Sequence, residues 1–381
     1  MELPAPTDDA RAHSARVAGR VRREIEARSG WISFARYLEL VLYEPGLGYY
    51  MAGARKLGAG GDFVTAPEIS RLYGRTLARQ LEQLARMGFS EILEIGAGSG
   101  ALAADLLAEL ERRGCPPQRY LILELSPDLR DRSRDTLAGR VPQLLERVSW
   151  LNRLPPAFAG VVIGNEVLDA MAVRVFERAG GDILELGVAF RNGAFEWAPR
   201  SRPAPPDAPD PSCFPEDGYR SEIQFVARAF VKSVGKSLAR GAALFIDYGF
   251  PRHEYYHPQR SRGTLMCHYR HRAHDDPFFL PGLQDITSHL DFSAIAQAGR
   301  EGGLDLLGYT SQAQFLVNCG ITGILAETPA SDAAAYAPLA AQAQKLLSPA
   351  EMGELFKVIA FGKGVSAPLL GFAQGDRSHA L

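Results

Sequence analysis

Glu91-Ile-Leu-Glu-Ile-Gly-Ala-Gly-Ser-Gly-Ala-Leu102 decides the fold of this 381-residue chain. Ile92, Leu93 and Ile95 make an apolar run of the length of a buried strand, and Gly96, Gly98 and Gly100 follow at once. Ala101 to Glu111 then reads as a helix of strong helix formers. Strand, glycine turn and helix N-terminus in that order make a nucleotide cradle. Glycine lets backbone approach a ligand, and the first N–H groups of the helix point at it. The spacing fits two patterns. Gly96, Gly98 and Ala101 satisfy the dinucleotide pattern G-x-G-x-x-G/A, and Glu94 to Gly100 satisfies the acidic-x-G-x-G-x-G pattern of S-adenosylmethionine (SAM) methyltransferases. Glu94 favours SAM, because a carboxylate there repels a pyrophosphate but tolerates a sulfonium or ammonium. Three glycines spaced by two also leave room for the methionine part of SAM. An NAD-dependent oxidoreductase is the competing reading.

Outward from this stretch the chain alternates strand and helix. Tyr120 to Leu125 is a second strand, and Ser126-Pro127 starts a helix. Glu124 closes that strand, where a carboxylate can accept both ribose hydroxyls. Gly160 to Gly164 is a later buried strand leading into Asn165-Glu-Val-Leu-Asp169. Ala242 to Asp247, Leu304 to Thr310 and Leu355 to Phe361 read as further strands. Such alternation predicts an α/β protein with a parallel sheet, helices on both faces and ligands at the carboxyl ends of strands. If Glu166 and Asp169 share one helical turn, they present two carboxylates on one face. A planar guanidinium suits such a pair, which would hold it and localise a nitrogen lone pair for attack on a methyl group. The plainer reading is a helix N-terminus whose acids favour the macrodipole. The candidate catalytic residues are therefore Glu166, Asp169 and Asn165. The candidate cofactor-binding residues are Glu94, Gly96, Gly98, Gly100 and Glu124.

The remaining segments organise around this core. Residues 1–90 read as a helical region with a glycine-rich loop. Arg11 to Arg28 is a basic surface helix with Val17, Val21 and Ile25 on one side, and Trp31 to Tyr43 is an amphipathic helix with Ser33 as N-cap. Gly58 to Glu68, with Asp62, Thr65 and Glu68, reads equally as a loop closing over a ligand or as a surface turn. Residues 91–172 begin the core. Residues 173–221 insert a β-ribbon, marked by Asn192-Gly193 between Val188–Phe190 and Phe195–Trp197, and a linker with seven prolines in 199–215. Residues 222–255 continue the core, 256–302 form a polar insertion, 303–365 complete the core and 366–381 are a tail. His268, His271 and His274 invite a metal reading, but Arg270 and Arg272 crowd cations into the set, so a polar loop is expected and no metal.

A net charge of −2 provides no general attraction to nucleic acid or anionic membrane. No run of eighteen apolar residues predicts a membrane span. The four cysteines form no C-x-x-C, and the first 25 residues lack an apolar signal core, which fits a cytoplasmic protein with free thiols. Asn-Pro-Pro-Tyr, the mark of many amino-methylating nucleic-acid enzymes, is absent, which argues against DNA. The Arg, Tyr and His content of 252–274 leaves RNA as a minority reading.

Several unusual blocks run in one order along the chain. They are Tyr43-Glu-Pro-Gly-Leu-Gly-Tyr-Tyr50, Gly61-Asp-Phe-Val-Thr-Ala-Pro-Glu68, Leu93-Glu-Ile-Gly-Ala-Gly-Ser-Gly100 and Asn165-Glu-Val-Leu-Asp-Ala-Met-Ala-Val173. Further on come Ile246-Asp-Tyr-Gly249, Gly263-Thr-Leu265, Asp285-Ile-Thr-Ser-His-Leu-Asp-Phe292 and Gln312-Ala-Gln-Phe-Leu316. Together these blocks resemble the MidA-like family of SAM-dependent methyltransferases, and the resemblance implies a Rossmann-like methyltransferase sheet with a helical N-terminal region and inserted β-ribbon and helical elements. It also implies SAM as cofactor, with Gly96, Gly98 and Gly100 binding it and Asp62 and Thr65 lining the site beside Asn165, Glu166 and Asp169. It implies methylation of an arginine side-chain nitrogen in a protein, a respiratory complex I subunit being the target of the mitochondrial member. One departure is Ala172, where the family usually has proline. A small-molecule or RNA methyltransferase and a SAM-binding assembly factor without turnover are the alternatives.

Overall fold

The computed structural model of the protein describes residues 3–52, 65–200 and 211–381. The chain forms two compact units. One comprises Val64–Leu168, Arg228–Pro251 and Phe292–Leu381, the other Met1–Phe63, Asp169–Ala227 and Arg252–Asp291.

The unit that carries the glycine turn is an α/β sheet. Its strands are β1 (Glu91–Ile95), β2 (Arg119–Leu123), β3 (Val148–Leu151), β4 (Phe158–Asn165), β5 (Leu238–Phe250), β6 (Asp305–Ser311) and β7 (Phe356–Lys363). They lie in the order β3-β2-β1-β4-β5-β7-β6. The first five run parallel. β7 runs antiparallel to both β5 and β6, against the expectation of a parallel sheet throughout. Buried apolar runs such as Val358–Phe361 carry no sign of direction, and a reversed strand completes its ladder equally well.

Helices α1 (Arg71–Arg86), α2 (Ala101–Arg112) and α3 (Pro127–Arg140) belong to this unit. Leu77, Leu81, Leu106 and Leu107 from the helices join Ile122, Ile163, Leu244 and Val358 from the sheet in one core. At about 25 cal/mol per Å² of apolar area, each fully buried leucine or isoleucine contributes roughly 1.5–3 kcal/mol. Ser126 caps α3 by accepting the Leu129 N–H at 3.4 Å, with Pro127 as its first residue.

The other unit holds a helix at Asp8–Ala27, which buries Val17, Val21 and Ile25, and a second at Phe34–Tyr43. Ser33 caps the second by accepting the Arg36 N–H at 3.2 Å. The preceding Ile32–Ser33 pairs with Val188 and Gly187, so the helix starts at Phe34 and not at Trp31. The β-ribbon consists of Arg174–Ala179, Asp182–Arg191 and Ala194–Arg200. Asn192 and Gly193 turn it at φ 52° and 85°, which places Phe190 opposite Phe195 and Val188 opposite Trp197. Arg220–Ile223 completes that sheet. Within 256–302, Met266–Tyr269 pairs with Arg272–His274 on one side and Asp285–Thr287 on the other. The His268–His274 stretch is therefore a hairpin turning at Arg270 and His271, both at positive φ, where a polar loop was expected.

Among the described residues no helix is long and apolar enough to cross a membrane, and no group of three or more His, Cys, Asp or Glu is placed to hold a metal ion.

Candidate functional site

The glycine turn sits at the carboxyl end of β1, and each glycine is there for a backbone reason. Gly96, Gly98 and Gly100 have φ of 66°, 54° and 81°, the left-handed region that costs most side chains energy. At Gly100 a Cβ would also lie 2.9 Å from the Cα of Ser133 on α3, so only glycine lets α2 start this close to α3. Gly96 is exposed, and a Cβ on it would approach Val167 Cγ2 to 3.0 Å. The backbone here is bare on one side and closely backed on the other, as a cradle for a ligand requires.

Two carboxylates flank the turn from below. Glu94 is buried in β1 and accepts the Tyr120 hydroxyl at 2.8 Å. Burial raises its pKa to about 7, the Tyr120 hydrogen bond opposes that, and the nearby Glu124 charge adds to it. Glu124 follows β2 and accepts the Ser126 N–H at 2.9 Å. Its pKa is raised by burial, against hydrogen bonds from the N–H groups of Ser126, Leu125 and Gly98. Glu124 thus touches the glycine turn through Gly98, as its place one strand over predicts. Leu125 beside it is 65% exposed, an apolar side chain left bare at the rim.

β4 delivers the third set. Asn165 is its last residue and accepts the Tyr73 hydroxyl of α1 through Oδ1. Glu166 follows with φ 53°, a left-handed non-glycine residue, and its N–H is held by Ile246 O at 2.8 Å. Glu166 Oε1 accepts the Asn165 side-chain amide at 3.1 Å and the Ala66 N–H at 3.2 Å. Asp247, at the carboxyl end of β5, takes the Leu168 N–H at 3.0 Å and the Tyr248 N–H at 3.0 Å. The left-handed backbone of Glu166 is not helical, and no helix forms over 165–169. The expected helical turn pairing Glu166 with Asp169 is absent. Glu166 belongs to the sheet unit, and Asp169 begins a segment of the other.

Thr65 is the N-cap of the short helix Ala66–Ile69 and makes no side-chain cap hydrogen bond. Glu68 in that helix accepts the Ser99 hydroxyl of the glycine turn. Residues 65–69 therefore lie against the turn and Glu166. Asp62 lies outside the described residues. Tyr73, Asp247 and Leu125 were not singled out from the sequence. Tyr73 reads there as one more core position of an amphipathic helix, and only its 2% exposure beside Asn165, with a pKa raised by burial and by the charges of Glu166 and Asp247, reveals the polar contact.

The strand order, with β7 reversed between β5 and β6, and an open glycine turn followed by a carboxylate on the next strand define a nucleotide-binding α/β enzyme. Comparison with known proteins names the class. The model of a family of S-adenosyl-L-methionine-dependent methyltransferases matches residues 72–310. A protein of Burkholderia thailandensis crystallised with S-adenosyl-homocysteine is 53% identical, covers 100% of both chains and superposes with a TM-score of 0.97. The mitochondrial protein arginine methyltransferase NDUFAF7 of Mus musculus is 29% identical over 87% of this chain and 81% of its own. Its counterpart in Danio rerio is 26% identical over 86% and 83%. The chain belongs to the MidA-like family of SAM-dependent methyltransferases.

Proposed function

We propose that the protein methylates an arginine side-chain nitrogen of a protein substrate, with Glu166 as the residue that receives the guanidinium. The observation that carries this is the strained Glu166 backbone at the carboxyl end of β4, with its carboxylate beside Asn165 and the glycine turn. Left-handed backbone in a non-glycine residue is costly and persists where surrounding contacts enforce it, as functional sites do. The names of the relatives at 26–29% identity support arginine as acceptor.

Gly96, Gly98 and Gly100 would hold SAM by close backbone approach, Glu124 the ribose hydroxyls, and Glu94 the charge of the sulfonium or ammonium. Leu125 would lie against the base, and Thr65 and Asp62 are further candidate cofactor-binding residues. Bound SAM supplies an electrophilic methyl group on a sulfonium. Glu166 and Asn165 would orient the guanidinium so that one ω-nitrogen points its lone pair along the line of transfer, and a carboxylate takes the proton that nitrogen loses. Positioning of this kind is worth effective molarities of order 10⁵–10⁸ M. Asp169 is a further candidate catalytic carboxylate. The proposed setting is the cytoplasm, and a respiratory complex I subunit is the acceptor that the family resemblance suggests.

The test uses purified protein, methyl-labelled SAM and lysate from a strain lacking the gene. A labelled protein band bearing methylarginine by mass spectrometry is the expected result. Label recovered in nucleic acid or small molecules, and not in protein, would overturn the acceptor.

A further inference from the structure

In the unit that contains Asp169, a tight turn builds an aromatic and acidic cluster. Helix Phe34–Tyr43 ends at Pro45-Gly-Leu-Gly48, and the chain folds back so closely that a Cβ on Gly48 would lie 2.5 Å from Leu42 C. The Tyr49 and Tyr50 N–H groups reach Val41 O and Leu42 O, both at 2.8 Å. This stacks the Tyr50 ring on Tyr43, with centroids 5.3 Å apart and planes 24° from parallel. The Tyr50 hydroxyl donates to Asp285 Oδ1 at 2.7 Å, and the Tyr43 hydroxyl to Ala170 O at 2.7 Å. Asp285 and Asp169 are both buried, and the charges of both act on the Tyr50 phenol, whose pKa burial above all holds far above its ordinary value.

A second observation is independent of these acids. Asp285–Thr287 is a strand, so Thr287 projects on the same face as Asp285. Its Oγ1 is buried, on a residue 3% exposed, and has no hydrogen-bond partner. Ser288 Oγ is in the same condition, while the Ser288 N–H donates to Asp169 O at 3.3 Å. Buried hydroxyls are nearly always bonded, and an acceptor left open on the strand face that carries Asp285 suits a ligand rich in N–H donors.

We infer that Asp285, oriented by Tyr50 and joined by Asp169 and Thr287, forms a guanidinium-binding subsite within its own unit, for an arginine side chain of the protein substrate. The inference rests on the reading above that the substrate is an arginine-bearing protein. Asp285 accepts the guanidinium N–H groups, Thr287 takes a further one, and Tyr50 holds the carboxylate in place.

The probes are N-acetyl-arginine methylamide and its citrulline counterpart, which has nearly the same shape and no charge. Their binding to the full-length protein is read by saturation-transfer NMR. The wild-type protein should prefer the arginine probe by about tenfold or more, a charge-assisted contact set against a neutral one. Asp285→Asn keeps an acceptor for Tyr50 and should reduce that preference severalfold, leaving S-adenosyl-homocysteine binding unchanged. Should Asp285→Asn fail to fold, Tyr50→Phe, which keeps the ring, decides through a reduced preference. Equal binding of the two probes by the wild type, or an undiminished preference in both variants, overturns the subsite. Where the methyl label lands separates the two ideas. Label on another acceptor, with an arginine preference that depends on Asp285, refutes the proposed activity and leaves the guanidinium site standing.

Discussion

At the scale of single residues, the site combines side chains whose charge state is set by their surroundings. Glu94 has a folded pKa of about 7, above its ordinary 4.5. Between those values the folded state binds more protons than the unfolded one, so Glu94's contribution to stability falls as pH rises through about 7. Glu94→Gln should remove that fall, and urea titrations of both proteins at pH 5.5 and pH 8 would show the variant gaining relative to wild type at the higher pH. If Glu94 faces the SAM cation, wild-type SAM affinity strengthens as pH rises through 7, and Glu94→Gln flattens the profile in calorimetry. Glu166→Gln should lower kcat by roughly 10²–10⁴, the range for loss of a positioned acid or base, with KM for SAM unchanged. A kcat within about threefold of wild type in a labelled-methyl assay would remove Glu166 from the mechanism.

Among the elements, packing decides which glycine is replaceable. Gly100→Ala adds a Cβ at φ 81° and drives it into the backbone of α3. The strain alone is about 1–3 kcal/mol, and α2 must also shift its first turn. Denaturant unfolding should show a loss of at least that size together with weaker S-adenosyl-homocysteine binding. In the other unit, Glu24 pairs with Arg20 of its own helix at 2.8 Å and ties that helix to the second through Arg36 at 3.0 Å. Hydrogen bonds from Arg20 and then Arg36 lower its pKa to about 2. Its stabilisation is complete above about pH 4.5 and is lost as pH falls toward 2. Glu24→Gln should therefore cost about 1–2 kcal/mol at pH 7, after allowance for the partly exposed arginines. The difference from wild type should shrink when unfolding is followed at pH 2.5.

For the whole molecule, the question left open by the glycine spacing is which nucleotide it serves. A ligand that binds the folded state alone stabilises it by RT ln(1 + [L]/Kd), about 2.7 kcal/mol at a hundredfold excess over Kd. S-Adenosyl-homocysteine should raise the melting temperature in proportion to the logarithm of its concentration, and NADH should leave it unchanged. The opposite result would contradict the family assignment.

The sequence by itself determined what depends on neighbours along the chain. The strand–glycine–helix order at 91–112, the caps at Ser33 and Ser126, the Asn192-Gly193 turn and the acid at Glu124 are all local. Each follows from side-chain period, a cap geometry or a positive φ. The tertiary structure alone decided what depends on residues far apart. It reversed β7, because burial patterns carry no strand direction. It replaced a helical turn after Asn165 with a strained bend at Glu166, held by Ile246 O on the Glu166 N–H and the Asp247 carboxylate on the Leu168 N–H. It also placed Glu166 and Asp169 in different units, and joined Tyr50 to Asp285 across 235 residues. Periodicity cannot foresee such partners, since they meet only once two separately formed elements pack together.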